Sequence, residues 1–238
     1  MRLPGFGATL RVMSARRFHD RSEAGRSLAA ALPADLPDDA LVVGLARGGV
    51  ETAAAVARLR GASLDALAVR KVGHPQQPEY ALGAVAPGGG GVYVRSSNGL
   101  SHDELEGLVA RASHAAEELD RHLHARHARA SLVGRTVLLV DDGLATGATM
   151  TAAVRWAWAQ GAVRVAVGVP VAASSSALLL RAEAEVWAVV ETEELGAVGL
   201  WYDRFEPVSE QEVLALLDEL GEPAPPRPGR RPREGRSS

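Results

Sequence analysis

The sequence lacks cysteine altogether, which excludes disulfide bonds and thiolate chemistry. It also lacks any apolar run near the roughly 20 residues that span a bilayer, and its N-terminus has no signal-peptide apolar segment. The net charge of −3 provides no global basic field for a nucleic acid. These absences predict a cytoplasmic protein that binds neither nucleic acid nor a membrane.

Lysine is almost as scarce as cysteine. Of the 26 Lys and Arg residues, only Lys71 is lysine. Arg and Lys are not interchangeable where a compact, flexible charge is needed, so Lys71 is a candidate functional residue. The alternative is that a single lysine remains there by chance, and the residues around it have to decide between the two.

The residues that are present follow an alternating pattern. Apolar runs typical of strands alternate with Ala-rich helical stretches, which indicates a mainly parallel α/β sheet between two helical layers. Proline and a run of four glycines in 73–97 predict a mobile loop and then a hairpin. The predicted strands are 40–45, 64–69, 136–141, 163–169 and 185–190, and the predicted helices are 21–32, 50–61, 101–129, 149–160, 174–182 and 209–219.

The stretch VLLVDDGLATGATM, residues 137–150, carries the strongest chemical signal. Asp141 and Asp142 follow a buried strand, at the sheet edge where α/β proteins bind ligands. The loop after them can direct main-chain N–H groups, hydroxyls and a helix N-terminus at a phosphate. Two carboxylates repel a phosphate, so they must bind vicinal hydroxyls, a divalent cation, or both. A sugar phosphate satisfies this arrangement.

Other phosphate motifs fit this stretch poorly. A Walker loop needs Lys after Gly147, and a dinucleotide fold needs G-x-G-x-x-G; neither pattern is present. Receiver domains place an acidic pair near the start of the domain and need a later Lys, whereas no Lys follows Lys71. A helix cap plus a turn would explain one Asp and one Gly, and it leaves the rest of the run unexplained.

The stretch resembles the phosphoribosyl diphosphate (PRPP) signature of type I phosphoribosyltransferases. RFHDRSEAGRSLA, VVGLARGGVETAAAVA, LAVRKVGHPQQPEYALGAVA and AVGLWYDRF also resemble, in the same order, a bacterial branch of that family whose base substrate is unassigned. The resemblance implies a three-layer α/β/α domain over 16–219, with a small hood from 16–35 and 191–219. It leaves 1–15 as an extension and 220–238 as a disordered Pro/Arg-rich tail.

The resemblance also implies roles for the motif residues. Asp141 and Asp142 would hold the ribose hydroxyls and contribute to a Mg²⁺ site, although the metal would be held mainly by PRPP. Together with Arg47 and Lys71 they would be the catalytic residues. The 5-phosphate would bind Leu144, Ala145, Thr146, Gly147, Ala148 and Thr149, and pyrophosphate would bind Arg47, Gly48, Gly49, Arg70 and Lys71. Relatives usually have Pro where this chain has Ala46 and Glu51.

Aromatic residues, only 4% of the chain, concentrate in AVGLWYDRF. Trp201 or Tyr202 is predicted to stack on a planar base and Asp203 to make a polar contact with it. The alternative is a small satellite core that packs the last helix. His74 is either a proton donor or an exposed loop residue, and His124 with His127 either binds a metal or belongs to a solvated helix face.

The implied function is transfer of the 5-phosphoribosyl group from PRPP to a nitrogenous base, purine-like or other, with Mg²⁺ and release of pyrophosphate. Two alternatives remain open at this point. One is a non-catalytic sensor of PRPP or a nucleotide, and the other is a hydrolase or transferase that acts on a phosphorylated ribose without a base acceptor. Dimerisation is common in the family, so a homodimer is an expectation of the resemblance, although no apolar stripe demonstrates it.

Overall fold

The computed structural model describes residues 17–37 and 40–222, with residues 78–80 as backbone only. The predicted extension 1–15 and all but the first three residues of the predicted tail lie outside this range. The described elements are α1 (Arg21–Ala31), β1 (Leu41–Ala46), α2 (Gly48–Arg60), β2 (Leu64–Ala68), β3 (Arg70–His74), β4 (Gln77–Val85), β5 (Val92–Val94), α3 (His102–Leu123), β6 (Thr136–Val140), α4 (Ala148–Ala159), β7 (Arg164–Ala173), α5 (Ser174–Leu180), β8 (Glu185–Thr192), a short 3₁₀ helix (Val198–Trp201) and α6 (Glu210–Leu220).

The main sheet has five parallel strands in the order β2-β1-β6-β7-β8. Side chains of one strand alternate between the two faces of the sheet, and both faces are covered, so the strands read as continuous apolar runs. The helices α1, α2 and α6 cover one face, and α4 and α5 cover the other. The predicted mainly parallel sheet between helical layers is confirmed.

The segment after β2 differs from its prediction. Residues 73–78 are predicted to be a mobile loop, whereas β3 and β4 form an antiparallel hairpin with only Pro75 and Gln76 between them. With β5 they make a second, three-stranded sheet, whose hairpin β4–β5 was expected. His74 is buried and its Nδ1 accepts from the Gln76 main chain, 3.2 Å away. Pairing between β3 and β4 determines the structure of this segment. The prolines in the sequence do not reveal that pairing.

Helix α3 begins close to its predicted start with a capping box, in which Ser101 and Glu104 satisfy each other's main-chain N–H groups. It ends at Leu123, six residues before the predicted end. His124 Nε2 lies 2.8 Å from Asp65 Oδ1 in a buried pair, and His127 contacts Asp218 of α6. His124 is therefore buried against an acidic side chain of another element, which the solvated-face interpretation does not describe, whereas His127 contacts its aspartate at the exposed surface.

Within the predicted hood regions 16–35 and 191–219, two segments pair above the main sheet, residues 17–20 and residues 195–208, and the word hood refers below to these two segments. The Phe18 N–H donates to the Trp201 carbonyl (2.8 Å), and the Asp203 N–H donates to the Phe18 carbonyl (2.9 Å). The Phe18 ring packs against Tyr202, with centroids 5.7 Å apart. The hood thereby joins the start of α1 to the segment between β8 and α6. Among the described residues, no helix combines the length and apolar character needed to cross a membrane.

Candidate functional site

The site lies at the carboxyl ends of β1 and β6, which are neighbours in the parallel sheet. Each strand runs directly into a loop and then into the N-terminus of a helix, so the two loops and the helices α2 and α4 meet at one edge. Arg47 follows β1 and is followed by Gly48, the first residue of α2, and the β6 loop carries Asp141 and Asp142. Adjacent parallel strands therefore bring together two motifs that lie about a hundred residues apart in the sequence.

The two glycines after Arg47 allow the loops to approach each other closely. A Cβ atom on Gly48 would overlap Asp142 Oδ2 and lie 3.1 Å from Arg21 Nε. A Cβ on Gly49 would lie 2.7 Å from Asp141 Oδ1 and 2.8 Å from the Val140 carbonyl oxygen. The peptide bond between Ala46 and Arg47 is cis. Side chains larger than hydrogen have no space at these two positions.

The two carboxyl groups of the acidic pair are half-buried, and burial and mutual repulsion disfavour their ionised forms. Burial raises the pKa of the Asp141 carboxyl well above its ordinary value, and the charge of Asp142 raises it further, while Lys71 opposes the shift. Burial also raises the pKa of Asp142, against the hydrogen bond from Arg21. Asp141 Oδ1 accepts from the Asp142 N–H at 2.9 Å. Such a pair favours ligands that add hydrogen-bond donors or positive charge.

Arg21, the first residue of α1, holds the second carboxylate. Its Nε donates to Asp142 Oδ2 at 2.9 Å, and its Nη1 donates to the Glu206 carbonyl at 2.7 Å. The guanidinium carbon lies 3.8 Å from the centroid of the Phe205 ring. Arg21 is only 6% exposed. The start of α1, the end of β6 and the hood are therefore joined through one buried cation.

The loop after the acidic pair is held from beneath by the end of β7. The Leu144 N–H donates to the Val171 carbonyl, and the Leu144 carbonyl accepts from Ala173, both at 2.8 Å. Gly147 has a positive φ of 78°, which glycine tolerates best, and it caps α4. The first N–H groups of an α-helix have no partner within the helix. The loop therefore directs N–H groups and the positive end of the α4 dipole at the edge of the sheet.

One cavity of about 580 Å³ connects these groups. It is lined by both acids, by residues 143–147 of the β6 loop and Thr149 of α4, by Arg47 and Gly48, by Lys71, and by hood residues. Two residues predicted to bind the phosphate groups, Gly49 and Ala148, are buried and do not line it. Lys71 is exposed on β3. In the described part of the chain, Arg70 is not one of the residues that line the cavity. Successive residues of a strand face opposite sides of the sheet, so Arg70 points away from the side that Lys71 faces. The Arg47 guanidinium, about half exposed, lies 3.8 Å from Glu210 of α6.

The residues predicted to contact a base lie elsewhere. Tyr202 is 5% exposed and its hydroxyl donates to the Asp142 main-chain carbonyl at 2.6 Å. The Trp201 indole donates to the Leu195 carbonyl at 3.0 Å, and Asp203 is exposed. None of these three residues lines the cavity in the described part of the chain. Tyr202 packs in a small aromatic cluster with Phe18 and Phe205. This is a satellite core, as in the alternative interpretation, but the buried residues of the last helix pack in a different cluster.

Sequence reasoning missed Arg21 and the hood residues that do line the cavity, which are Ala197, Val198, Gly199, Phe205, Pro207 and Val208. Arg21 follows the helix cap Asp20, so the sequence suggests an ordinary first-turn residue. Its burial depends on contacts with residues more than a hundred positions away. For Phe205 a signal existed, since the aromatic segment was identified, although the residue that faces the cavity could not be chosen from it.

Comparisons with known proteins agree with this geometry. A family model described as "Phosphoribosyl transferase domain" matches residues 24–195. Two Mycobacterium tuberculosis proteins, from strains CDC 1551 and H37Rv, are provisionally named phosphoribosyl transferases. Each is 39% identical to this chain over 208 residues, which is 84% of this chain and 46% of the relative. The chain thus spans about half the length of the curated relatives that it matches.

A solved structure is similar over nearly the whole described chain. The crystal structure of TT1426 from Thermus thermophilus is 41% identical, covers 87% of this chain and 100% of its own, and superposes with a TM-score of 0.73.

Proposed function

Because this chain belongs to the phosphoribosyl transferase family, we propose that it transfers the 5-phosphoribosyl group of PRPP to a nitrogenous base and releases pyrophosphate. One observation supports this most strongly. A single cavity is lined by paired carboxylates, by a glycine-containing anion loop at a helix N-terminus, and by three cationic side chains, of which Arg47 and Lys71 are exposed. These groups match the diol, the 5-phosphate and the diphosphate of PRPP.

In the proposed complex, the 5-phosphate accepts hydrogen bonds from the main chain of residues 144–149 and from the hydroxyls of Thr146 and Thr149. The ribose hydroxyls donate to Asp141 and Asp142. The diphosphate lies between Gly48, Arg47 and Lys71 at the other end of the cavity. The Arg47 side chain has to leave Glu210 to reach it, a rotation that its exposure permits.

The reaction forms a bond between a base nitrogen and C1 of the ribose while the bond from C1 to the diphosphate oxygen breaks. The electron pair leaves with pyrophosphate, and a base that carries an N–H loses that proton. Positive charge develops on the ribose ring, which the carboxylates of Asp141 and Asp142 stabilise. Negative charge develops on the leaving group, where Lys71 and Arg47 act. No covalent intermediate on the protein is required.

The donor set also fits a magnesium ion, which takes oxygen ligands and keeps most of them from substrate and water. Within 17–37 and 40–222, no group of three or more His, Asp or Glu side chains could hold a metal ion by itself. Asp141 and Asp142 would therefore contribute to a Mg²⁺ ion held mainly by the diphosphate, where the ion neutralises the leaving group. A cytoplasmic location and a homodimer stay predictions of the sequence.

Calorimetry with PRPP, with and without Mg²⁺, tests the binding part of this proposal. We expect saturable binding that strengthens with Mg²⁺ and is lost in Asp142→Asn, while the far-UV spectrum of the variant stays unchanged. Equal binding by the variant, or no heat with the wild type, would contradict the proposal.

A pyrophosphate-release assay with a panel of purine and pyrimidine bases tests the chemistry. Release that depends on one class of base is the expected result and identifies the acceptor. Release without any base would indicate a hydrolase instead. PRPP binding without release would indicate a sensor.

A further inference from the structure

We propose that Arg21 is a positioning residue for the sugar diol: its guanidinium holds Asp142 Oδ2 from behind and turns Oδ1 toward the ribose hydroxyls. This inference rests on the proposed function, because it assumes that the acidic pair binds a diol. It assigns a task to a residue of α1 that the PRPP motif does not include.

Three contacts fix the guanidinium: one comes from Asp142 after β6, and two come from the neighbouring hood residues Phe205 and Glu206. Nε donates to Asp142 Oδ2 at 2.9 Å, Nη1 donates to the Glu206 carbonyl at 2.7 Å, and the Phe205 ring covers one face at 3.8 Å. A planar guanidinium held on two edges and one face has one orientation. The position of Asp142 Oδ2 is therefore set by the hood as well as by β6.

Charge and burial make Asp142 the principal counterion of Arg21. The Arg21 side chain is 7% exposed and the Asp142 side chain 16% exposed, so both charges are largely removed from water. The other acid near Arg21, Glu51, is farther away, at 3.9 Å, and more exposed, at 37%. A buried charge without its partner is strongly unfavourable, so the pair stays closed.

The geometry around Gly48 limits the alternatives for the carboxylate. A Cβ at Gly48 would overlap Asp142 Oδ2 and lie close to Arg21 Nε, so this oxygen points into the narrow space between α1 and α2. The same carboxylate lines the cavity. With Oδ2 bound by Arg21, Oδ1 is the oxygen that a ribose hydroxyl would use. Tyr202 adds a second restraint by binding the Asp142 carbonyl.

The test compares two sugar phosphates that differ only in the diol: ribose 5-phosphate and 2,3-dideoxyribose 5-phosphate. Calorimetric affinities for both are measured on the full chain of the wild type, Arg21→Gln, Arg21→Lys and Arg204→Gln. Arg204 is the matched control, because it is a hood arginine that pairs with a different aspartate, Asp20, at 2.9 Å. Thermal unfolding of each variant reports whether it is folded.

We expect Arg21→Gln to weaken ribose 5-phosphate about 10- to 100-fold, the range typical of residues that orient a binding group from behind. Its affinity for the dideoxy compound should match that of the wild type. Arg21→Lys, which keeps the charge without the two-edged contact, should show a smaller loss that is again confined to the diol. If Arg21→Gln does not fold, the same diol-selective loss in Arg21→Lys decides the question.

Equal losses for both sugar phosphates, or no loss for either, would overturn the positioning role, since fold damage does not distinguish the two ligands. The wild type could prefer ribose 5-phosphate while the Arg21 variants bind both compounds as Arg204→Gln does. That result would support the proposed site and overturn the proposed role of Arg21. A wild type without preference for the diol would overturn the proposed function, and this inference with it.

Discussion

The phenolic oxygen of Tyr202 lies 2.6 Å from the main-chain carbonyl oxygen of Asp142. The ring behind this hydroxyl packs between Phe18 and Phe205, with centroids 5.7 and 4.9 Å away. The aromatic segment therefore supports the backbone of the acidic loop from the rear. It links the hood directly to the residue that is proposed to bind the ribose.

Replacing this tyrosine tests the link. Tyr202→Phe keeps the ring and leaves the Asp142 carbonyl without its donor, so the free energy of unfolding should fall by about 1–2 kcal/mol. Urea unfolding followed by circular dichroism measures the change. Tyr93→Phe is the control, because Tyr93 lies half-exposed on the second sheet. An unchanged midpoint in Tyr202→Phe would show that the hydrogen bond contributes nothing.

The same tyrosine should make stability depend on alkaline pH. Burial raises the pKa of the Tyr202 hydroxyl above its ordinary value, and the charge of Asp142 raises it further. A pKa raised by folding favours the protonated form, so this contribution is complete below the unfolded-state pKa and is lost as the pH rises above about 10. The free energy of unfolding should fall more steeply above that pH in the wild type than in Tyr202→Phe. Parallel pH curves for the two proteins would contradict this.

We expect ionised Asp141 to lower the free energy of unfolding although it contributes to PRPP binding. Burial and the neighbouring Asp142 raise its pKa in the folded state, so the free energy of unfolding falls as the pH rises from the ordinary carboxyl pKa to that raised value. Asp141→Asn should therefore increase the free energy of unfolding at pH 7, and the gain should vanish as the pH falls below the ordinary carboxyl range. Denaturant titrations at both pH values measure it.

The same variant should lose affinity for PRPP about tenfold or more, because a charge-assisted hydrogen bond contributes about 1.5–3 kcal/mol. Asp35→Asn is the control, since Asp35 is an exposed aspartate whose side chain lies 3.7 Å from Arg164. A destabilised Asp141→Asn protein at neutral pH would refute the electrostatic interpretation of this site.

Gly48 should tolerate no side chain. A methyl group there would overlap Asp142 Oδ2 and displace it from Arg21, so Gly48→Ala should destabilise the fold by about 1–3 kcal/mol and abolish PRPP binding. Gly107→Ala is the matched control on α3, where the new Cβ would meet only Arg111 Nη1 at 3.7 Å. That control should gain about 0.5–1 kcal/mol, because alanine favours a helix interior. Equal effects of the two changes would argue against close approach at Gly48.

Lys71 and Arg70 should behave differently although they are adjacent. Lys71 lines the cavity, so Lys71→Gln should weaken pyrophosphate binding about tenfold, with stability changed by less than about 0.5 kcal/mol. Arg70→Gln should leave the affinity unchanged, because Arg70 faces the other side of β3. Titration with inorganic pyrophosphate measures both variants. A larger loss in Arg70→Gln would reverse this assignment.

The parts of the fold that follow from the sequence are those set by local patterns. Every predicted strand of the main sheet forms within a few residues of its predicted bounds, because buried parallel strands need continuous apolar runs. The helix starts at Asp20 and Ser101 carry their own capping residues. The acidic loop follows its strand directly, so its place at the sheet edge could also be predicted.

The errors occur where contacts between different elements decide the structure. Pro75 and the residues around it suggest a loop, but pairing between β3 and β4 extends both strands almost to the turn. His124 suggests a solvated helix, but Asp65 of β2 approaches it from another layer. Contacts of this kind produce no periodic pattern in the sequence of either segment.

Residue types and their order along the chain thus determined the parallel α/β sheet, the paired carboxylates at its edge and the anion loop that follows them, since strand, turn and cap preferences act over a few residues. Which side chains turn toward the cavity was decided only by the tertiary structure. Arg21 became the partner of Asp142, and Tyr202 became a buried support, because the hood joins segments about 180 residues apart. Whether a side chain is buried there depends on the residues of the other segment that it contacts.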